Sequence, residues 1–298
     1  MVSELIHDVL EHLPVGVNLF KPVWDDAKKL RDLKFVYTNA LGAELIGSNE
    51  KLDGKLLLQT FSNDTISEVF KRYRQVLRVR KAATFDAQFS SAADEKRTFE
   101  ITAQPLDDHL LVTFTDVTQT RTLKEEINHL ATHDELTDLY NRRYLIGQTL
   151  ELLSLAKRNN WWMSLIYMDL NHFKPVNDTY THSAGDAVLQ DIAWRLQPLT
   201  RQEDVLARWG GDEFVLLLPN TDAQGALRVA RRVAQAFEER FEFMGKSARV
   251  GVSIGVASMP AKDAELSELV LRADEAMYMA KRDKDKENAP IKVWKSLL

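Results

Sequence analysis

The chain has 298 residues, an apolar content of 45%, a formal charge of −5 and no cysteine. At roughly 100–200 residues per domain this is the length of two domains with two cores. The charge argues against a nucleic-acid partner, and the missing thiols exclude disulfides, thiolate metal sites and cysteine nucleophiles.

Residues 1–8 carry acids where a signal peptide carries positive charge. No apolar run approaches the ~20 residues that span a bilayer. The expectation is a soluble, cytoplasmic chain without a membrane segment. Alternation predicts strands over residues 13–20 and 33–39, the second ending at Asn39 as a turn or helix cap. A short helix over 40–46 stops at Gly47, and a longer one covers 66–79. Strands over 83–90, 96–105 and 109–117 then close an α+β module with antiparallel strands. The cluster Lys71, Arg72, Arg74, Arg78, Arg80 and Lys81 sits on the helical pattern and reads as a solvated face.

Residues 119–132 join the halves. Leu123, Ile127 and Leu130 recur at i, i+4 and i+7, which makes one apolar helical stripe. It suits a parallel two-stranded coil, but also docking on its own domain; the spacing leaves both open. Beyond it, strands and helices alternate: a strand over 163–170, a helix over 185–196, a hairpin of 206–209 with 214–218, a helix over 223–237, a strand over 249–258 and a helix over 265–281. The expected architecture is a sheet with helices packed on its faces.

The chemistry concentrates in Arg208-Trp209-Gly210-Gly211-Asp212-Glu213-Phe214. Two glycines between apolar runs read as a hairpin turn whose backbone a ligand can approach closely. Asp212 and Glu213 then stand at the tip, suited to Mg²⁺ and phosphates. Asp169 ends the strand over 163–170, where an acid points into the ligand crevice of such sheets. If the hairpin neighbours that strand, Asp169 and Asp212 converge. Lys174 and Lys281 are cations available for phosphate. Asn177 and Asp186 flank a turn and a helix start, with donors and acceptors for a base edge. Each has a plain structural explanation alone; their combination points to a nucleotide site.

Residues 133–286 resemble the GGDEF domain of diguanylate cyclases, over about half the chain. The strings that carry the resemblance, in order, run from His133-Asp-Glu-Leu-Thr137 with Tyr140-Asn-Arg-Arg143, through Met168-Asp-Leu-Asn-His-Phe-Lys174, Asn177-Asp178, Ala184-Gly-Asp186 and Arg208 to Phe214, to Val252-Ser-Ile-Gly255, Ala273-Asp-Glu-Ala-Met-Tyr278 and Ala280-Lys-Arg282. The resemblance implies condensation of two GTP into cyclic di-GMP and two pyrophosphates. It implies that Asp169, Asp212 and the Leu170 carbonyl ligate Mg²⁺, with Mn²⁺ as an alternative. Glu213 would assist the metal or deprotonate the attacking 3′-hydroxyl. Asn177 and Asp186 would bind guanine in a pocket lined by Leu136 and Leu189. Lys174 and Lys281 would contact the triphosphate, and Gly210 and Gly211 would admit it to the backbone. One site cannot close the ring, so activity implies a homodimer. Arg201 and Asp204 fall at the spacing of the family's product-inhibition motif for cyclic di-GMP, with Arg228, Arg231 or Arg232 as a third partner. The family pattern is departed from in three places: Thr181 stands where glycine is usual, Asn171 replaces a frequent aspartate, and in Lys284-Asp285-Lys286 the acid Asp285 falls where a phosphate-binding cation is common, with Lys284 or Lys286 as its replacement.

Residues 1–118 resemble a PAS sensor domain through Leu13-Pro-Val-Gly16, Tyr37-Thr-Asn39 with Glu44-Leu-Ile-Gly47, and Val112-Thr-Phe-Thr-Asp-Val-Thr118. The expected organisation is therefore a PAS-like antiparallel sheet domain over 1–118, a helical linker over 119–132, and a cyclase domain over 133–298. The PAS ligand is not legible. The lack of cysteine excludes a flavin–cysteine adduct, and His12 reads as a surface helix residue rather than a haem ligand. The competing functional reading is a catalytically degenerate domain that binds GTP or cyclic di-GMP as a signalling module.

Overall fold

The computed structural model describes residues 2–48, 50–61, 63–90, 96–243, 245–282 and 291–294. Lys284, Asp285 and Lys286 lie outside the described residues. The chain divides into two compact units, residues 1–125 and 126–298.

The first unit is a five-stranded antiparallel sheet with helices packed on it. It runs α1 (Val2–Glu11), β1 (Gly16–Trp24), β2 (Leu30–Thr38), α2 (Ala40–Leu45), α3 (Leu57–Thr60), α4 (Asp64–Val79), β3 (Ala83–Ser90), β4 (Lys96–Leu106) and β5 (His109–Asp116). The strand order is β2-β1-β5-β4-β3. Its core joins Phe20, Phe35 and Phe114 of the sheet to Val69 and Tyr73 of α4. Asn39 fixes the chain entering α2. Its Oδ1 accepts from the Val17 and Gly42 amides at 2.8 Å, and its Nδ2 donates to the Leu10 and Val15 carbonyls at 3.0 Å. The first strand begins at Gly16 rather than Leu13, because Pro14 has no N–H to give a ladder. The short helices α1 and α3 go beyond the expected set; helices of that length draw their stability from tertiary packing, which a local pattern does not display.

Helix α5 (Thr118–Thr132) straddles the division between the units. The second unit continues with β6 (Tyr140–Asn141), α6 (Arg142–Arg158), β7 (Trp162–Asn171), α7 (Phe173–Tyr180), α8 (His182–Leu196), β8 (Val205–Gly210), β9 (Glu213–Pro219), α9 (Ala223–Gln235), β10 (Phe241–Phe243), β11 (Lys246–Ala248), β12 (Gly251–Pro260), α10 (Leu266–Arg282) and β13 (Ile291–Val293). The main sheet has the order β13-β12-β7-β9-β8-β6. Central β7 is buried on both faces, which explains why it reads as an unbroken apolar run. Ile166, Met168 and Leu170 face a core shared with α8 and α9. Leu165 and Tyr167 face the opposite core, shared with α6 and α10. Asp169 continues that second set by the period of two.

The second unit departs from the sequence expectations at several points. Helices α6 and α7 go beyond the expected set. Asn177 belongs to α7 and not to a turn: Pro175 suggests a break, but it occupies the first helical turn, where its missing N–H is not needed. The strand expected from Arg249 begins at Gly251. Among the described residues no helix is long and apolar enough to cross a membrane.

Candidate functional site

The hairpin β8–β9 lies beside β7 in the sheet, and the register sets Asp169 directly opposite Glu213 on one side and Ser253 of β12 on the other. Directly opposed residues share a face of the sheet. The Leu170 amide donates to the Asp212 carbonyl at 3.2 Å, so the turn closes onto the end of β7. The expectation is convergence of Asp169 with Asp212; the register instead sets Glu213 directly opposite Asp169, with Asp212 one residue away in the turn. Gly211 adopts φ 54°, a left-handed conformation suited to glycine. The space around the positions a Cβ would occupy on Gly210 and Gly211 is open.

Asp169 is 7% exposed, and Lys281 of α10 donates from Nζ to its Oδ1 at 2.6 Å. The two expected partners of metal and triphosphate thus hold each other. Burial, together with the charges of Asp169, Asp212 and Asp274, pushes the Glu213 carboxyl above the usual carboxylate range. The Tyr167 hydroxyl, hydrogen-bonded to Glu213, pulls the other way. Burial and the neighbouring charges of Asp169 and Glu275 raise Asp274 as well. Tyr167 and Asp274 are site residues that the sequence reading missed. Asp274 lies seven positions before Lys281 on α10, two helical turns on the same face, and that spacing was the available signal.

The turn is braced by Arg208. Its guanidinium donates to the Gly211 carbonyl at 3.0 and 2.8 Å, and to Asp134 at 3.0 and 3.2 Å. Asp134 Oδ1 also accepts from the Thr137 amide at 3.0 Å and hydroxyl at 2.7 Å. Burial alone would raise Asp134; the Thr137 bonds and the Arg208 charge outweigh it and hold the carboxyl below its ordinary range. The string from His133 to Arg143 thus acts as scaffold for the signature turn. Asn141 extends it, capping α6 through the Tyr144 amide at 2.9 Å.

The expected guanine-binding residues gather around α7 and α8. Asn177 Oδ1 lies 1.9 Å from where a Cβ on Gly185 would stand, so any side chain at residue 185 would displace it. Asp186 follows on α8 with an exposed side chain. Leu189 is buried in the core, Leu136 packs against that core, and Gln190 Nε2 holds the Leu136 carbonyl at 3.1 Å. Lys174 is exposed in the first turn of α7. Thr181 joins the two helices at φ 113° and ψ 163°, a region essentially reserved for glycine. Asn171 accepts from the Ser253 hydroxyl at 3.0 Å inside the sheet.

Arg201 and Asp204 precede β8, at the end of the strand remote from the turn, roughly 20 Å away at 3.3 Å per residue. Asp204 Oδ2 accepts from the Arg201 amide at 2.8 Å, while the exposed Arg201 guanidinium approaches Glu203 at 4.0 Å. Burial, then the Glu203 charge, raises Asp204. Arg228, Arg231 and Arg232 are exposed on α9.

Hard oxygens from Asp169, Asp212, Glu213 and the Leu170 carbonyl match a Mg²⁺ ion that keeps waters and substrate phosphate as its other ligands. Among the described residues no three acidic or histidine side chains are disposed to hold an ion by themselves. The donor set nevertheless fits. The ammonium of Lys281 stands on Asp169 as a cation, and the carboxylates of Asp169, Asp212 and Asp274 gather around Glu213.

Residues 131–287 match the family model described as diguanylate cyclase, GGDEF domain, and residues 29–122 match a PAS fold model. The chain is 29% identical over 264 residues to a diguanylate cyclase of Vibrio cholerae, covering 86% of this chain and 82% of that one. It is 32% identical over 272 residues to the signalling protein YkoW of Bacillus subtilis, covering 86% of this chain but only 34% of YkoW. The solved GGDEF domain of TpbB (YfiN) from Pseudomonas aeruginosa superposes with a TM-score of 0.51 at 32% identity, over 55% of this chain and 94% of that one.

Proposed function

We propose that this chain, which belongs to the GGDEF diguanylate cyclase family, condenses two GTP into cyclic di-GMP and two pyrophosphates as a homodimer, under control of its PAS-fold unit. The observation that carries the reading is the register that sets Glu213 opposite Asp169 beneath an open Gly210–Gly211 turn. Each protomer holds one GTP. Asn177 and Asp186 hydrogen-bond the guanine edge, and Leu136 and Leu189 flank the base. The triphosphate lies along the turn, where no side chain obstructs the backbone, with Lys174 and Lys281 as its cations.

The 3′-oxygen of one GTP attacks the α-phosphorus of the other. The new P–O bond forms as the bond to pyrophosphate breaks. Glu213 accepts the 3′-hydroxyl proton, a role suited to a carboxyl whose affinity for protons is raised. Asp169, Asp212 and the Leu170 carbonyl would hold a Mg²⁺ ion, which would supply charge to offset the phosphates and lower the pKa of the attacking hydroxyl. Lys281 leaves Asp169 for the phosphates as nucleotide arrives. A second, symmetric attack closes the ring, which is why two facing sites are needed. Cyclic di-GMP returning to Arg201 and Asp204 slows the enzyme from the far end of β8.

Purified protein, GTP and Mg²⁺, with products separated by chromatography, test the reading. Cyclic di-GMP and pyrophosphate in a 1:2 ratio are expected. The alternative, a silent GTP- or cyclic di-GMP-binding module, has Asp285 in its favour, an acid where the family carries a cation. Binding of either nucleotide without turnover would select it.

A further inference from the structure

The first unit holds a partly open cavity of about 460 Å³. Six phenylalanine rings line it: Phe20, Phe35, Phe61, Phe89, Phe99 and Phe114. Protein interiors pack to crystal density and leave few voids larger than a water molecule. A space of this size is within the range of small-molecule sites, which are mostly apolar with a few placed polar groups.

One such group stands in the wall. Asn18 of β1 is 6% exposed, and its Oδ1 has no hydrogen-bond partner. Thr38 is its partner in the register with β2, yet the Thr38 hydroxyl is also unpartnered, so neither answers the other. Asn39 shows the contrast: it makes two bonds through Oδ1 and two through Nδ2. A buried carbonyl oxygen left unpaired costs stability that an isosteric leucine would not. An N–H or O–H donor seated in the cavity would pair it. The charged residues in the lining are Glu44 and Arg97, one of each sign, which offers no net charge to an ionic ligand. No histidine or cysteine belongs to the lining, so it supplies neither an axial haem ligand nor a thiol for an adduct.

We propose that this cavity binds an uncharged aromatic molecule of one to three rings whose N–H or O–H group donates to Asn18 Oδ1. The aromatic wall supplies stacked and edge-to-face contacts, and Asn18 selects for the donor. The proposal concerns the first unit alone and does not depend on the catalytic reading.

The test uses the full chain and two near-isosteric probes, indole, which has an N–H, and indene, which has none. Affinities come from calorimetry or ligand-observed NMR. The wild type is expected to bind indole about three- to tenfold more tightly, the value of one net hydrogen bond. Asn18→Leu is expected to bind both equally, with indene affinity retained, since removing an unpaired amide does not harm the fold. Asn18→Ala repeats the comparison if the leucine overpacks. Acid denaturation of freshly purified protein and mass spectrometry of the released fraction give a second reading. A neutral aromatic donor found there supports the proposal, and a charged or donor-free molecule overturns it. With an empty cavity, failure of the wild type to bind either probe, equal binding of both, or a preference that survives loss of Asn18 also overturns it.

Discussion

Lys281 Nζ stands 2.6 Å from Asp169 Oδ1, joining the helix α10 to the central strand at the point where metal and phosphate are expected to meet. Asp169 is almost fully buried, whereas the Lys281 side chain is 39% exposed. Breaking a wholly buried pair costs about 3–5 kcal/mol, and an exposed one well under 1. For this mixed pair, Lys281→Met is expected to lower stability by about 1–2 kcal/mol in metal-free buffer. Mg²⁺ should then stabilise the variant more than the wild type, because the ion replaces the missing cation. Urea denaturation with and without Mg²⁺ measures both. A variant as stable as the wild type would mean that the pair contributes nothing.

Glu213 and Asp274 both have raised carboxyl pKa values. A group that holds its proton more tightly when folded contributes stability below its unfolded pKa, and that contribution is lost as pH rises through the folded pKa. Metal-free protein should therefore lose this increment as pH climbs from about 4 into the range above the ordinary carboxylate values. A bound cation opposes the loss, so the Tm difference between Mg²⁺-loaded and metal-free protein should widen with pH. Turnover should show an acidic limb from the same Glu213. Tyr167→Phe removes a bond that favours the charged carboxylate, and should move that limb to higher pH. Glu213→Gln should lower turnover by about 10²–10⁴ while GTP binding persists. An unmoved limb in Tyr167→Phe would separate Glu213 from the titration.

The legible parts of this chain were those where local pattern and tertiary role agree. The strand β7, the hairpin and α10 announce themselves by apolar runs and paired glycines, and the register of the sheet then assembles Asp169 with Glu213. What the sequence hid was side-chain geometry between distant segments. Arg208 stands inside the signature, but its bond to Asp134 spans 74 positions. The Lys281–Asp169 pair spans 112, and no periodicity encodes either. Asn18 reads as one polar residue in an alternating strand; only the packed sheet reveals that its oxygen is orphaned.

Thr181 occupies a backbone region that costs a non-glycine residue about 1–3 kcal/mol. Glycine loses more chain entropy on folding, about 0.5–1 kcal/mol. Thr181→Gly should therefore stabilise the second unit by roughly 1 kcal/mol. Thr181→Ala should not, because alanine keeps the Cβ that creates the strain. Equal stability of wild type and glycine variant in urea melts would place the strain elsewhere.

Arg201 lies at the far end of β8 from the turn, and its guanidinium is exposed. Arg201→Ala should leave the initial rate within about twofold, since surface changes away from the chemistry have small effects. Progress curves should no longer flatten as product accumulates, and added cyclic di-GMP should no longer inhibit. If wild type and variant are inhibited alike, Arg201 has no part in product binding.

The linker helix α5 has no buried residue, and Leu123, Ile127 and Leu130 are 49%, 65% and 57% exposed. Three large apolar side chains on one face, at i, i+4 and i+7, make a seam that a second copy of the helix would cover. The proposed chemistry needs two facing sites, and a parallel pair of such helices would bring them together. Ile127→Lys puts a charge at the centre of that seam, where an unpaired buried charge is costly. The variant should shift toward monomer in light scattering, and its specific activity should rise with protein concentration while the wild type's stays flat. The helix is short of the three to four heptads of a self-sufficient coil, so the dimer should weaken in proportion and not merely rearrange. A variant that remains dimeric and fully active at low concentration would show that α5 does not hold the pair together.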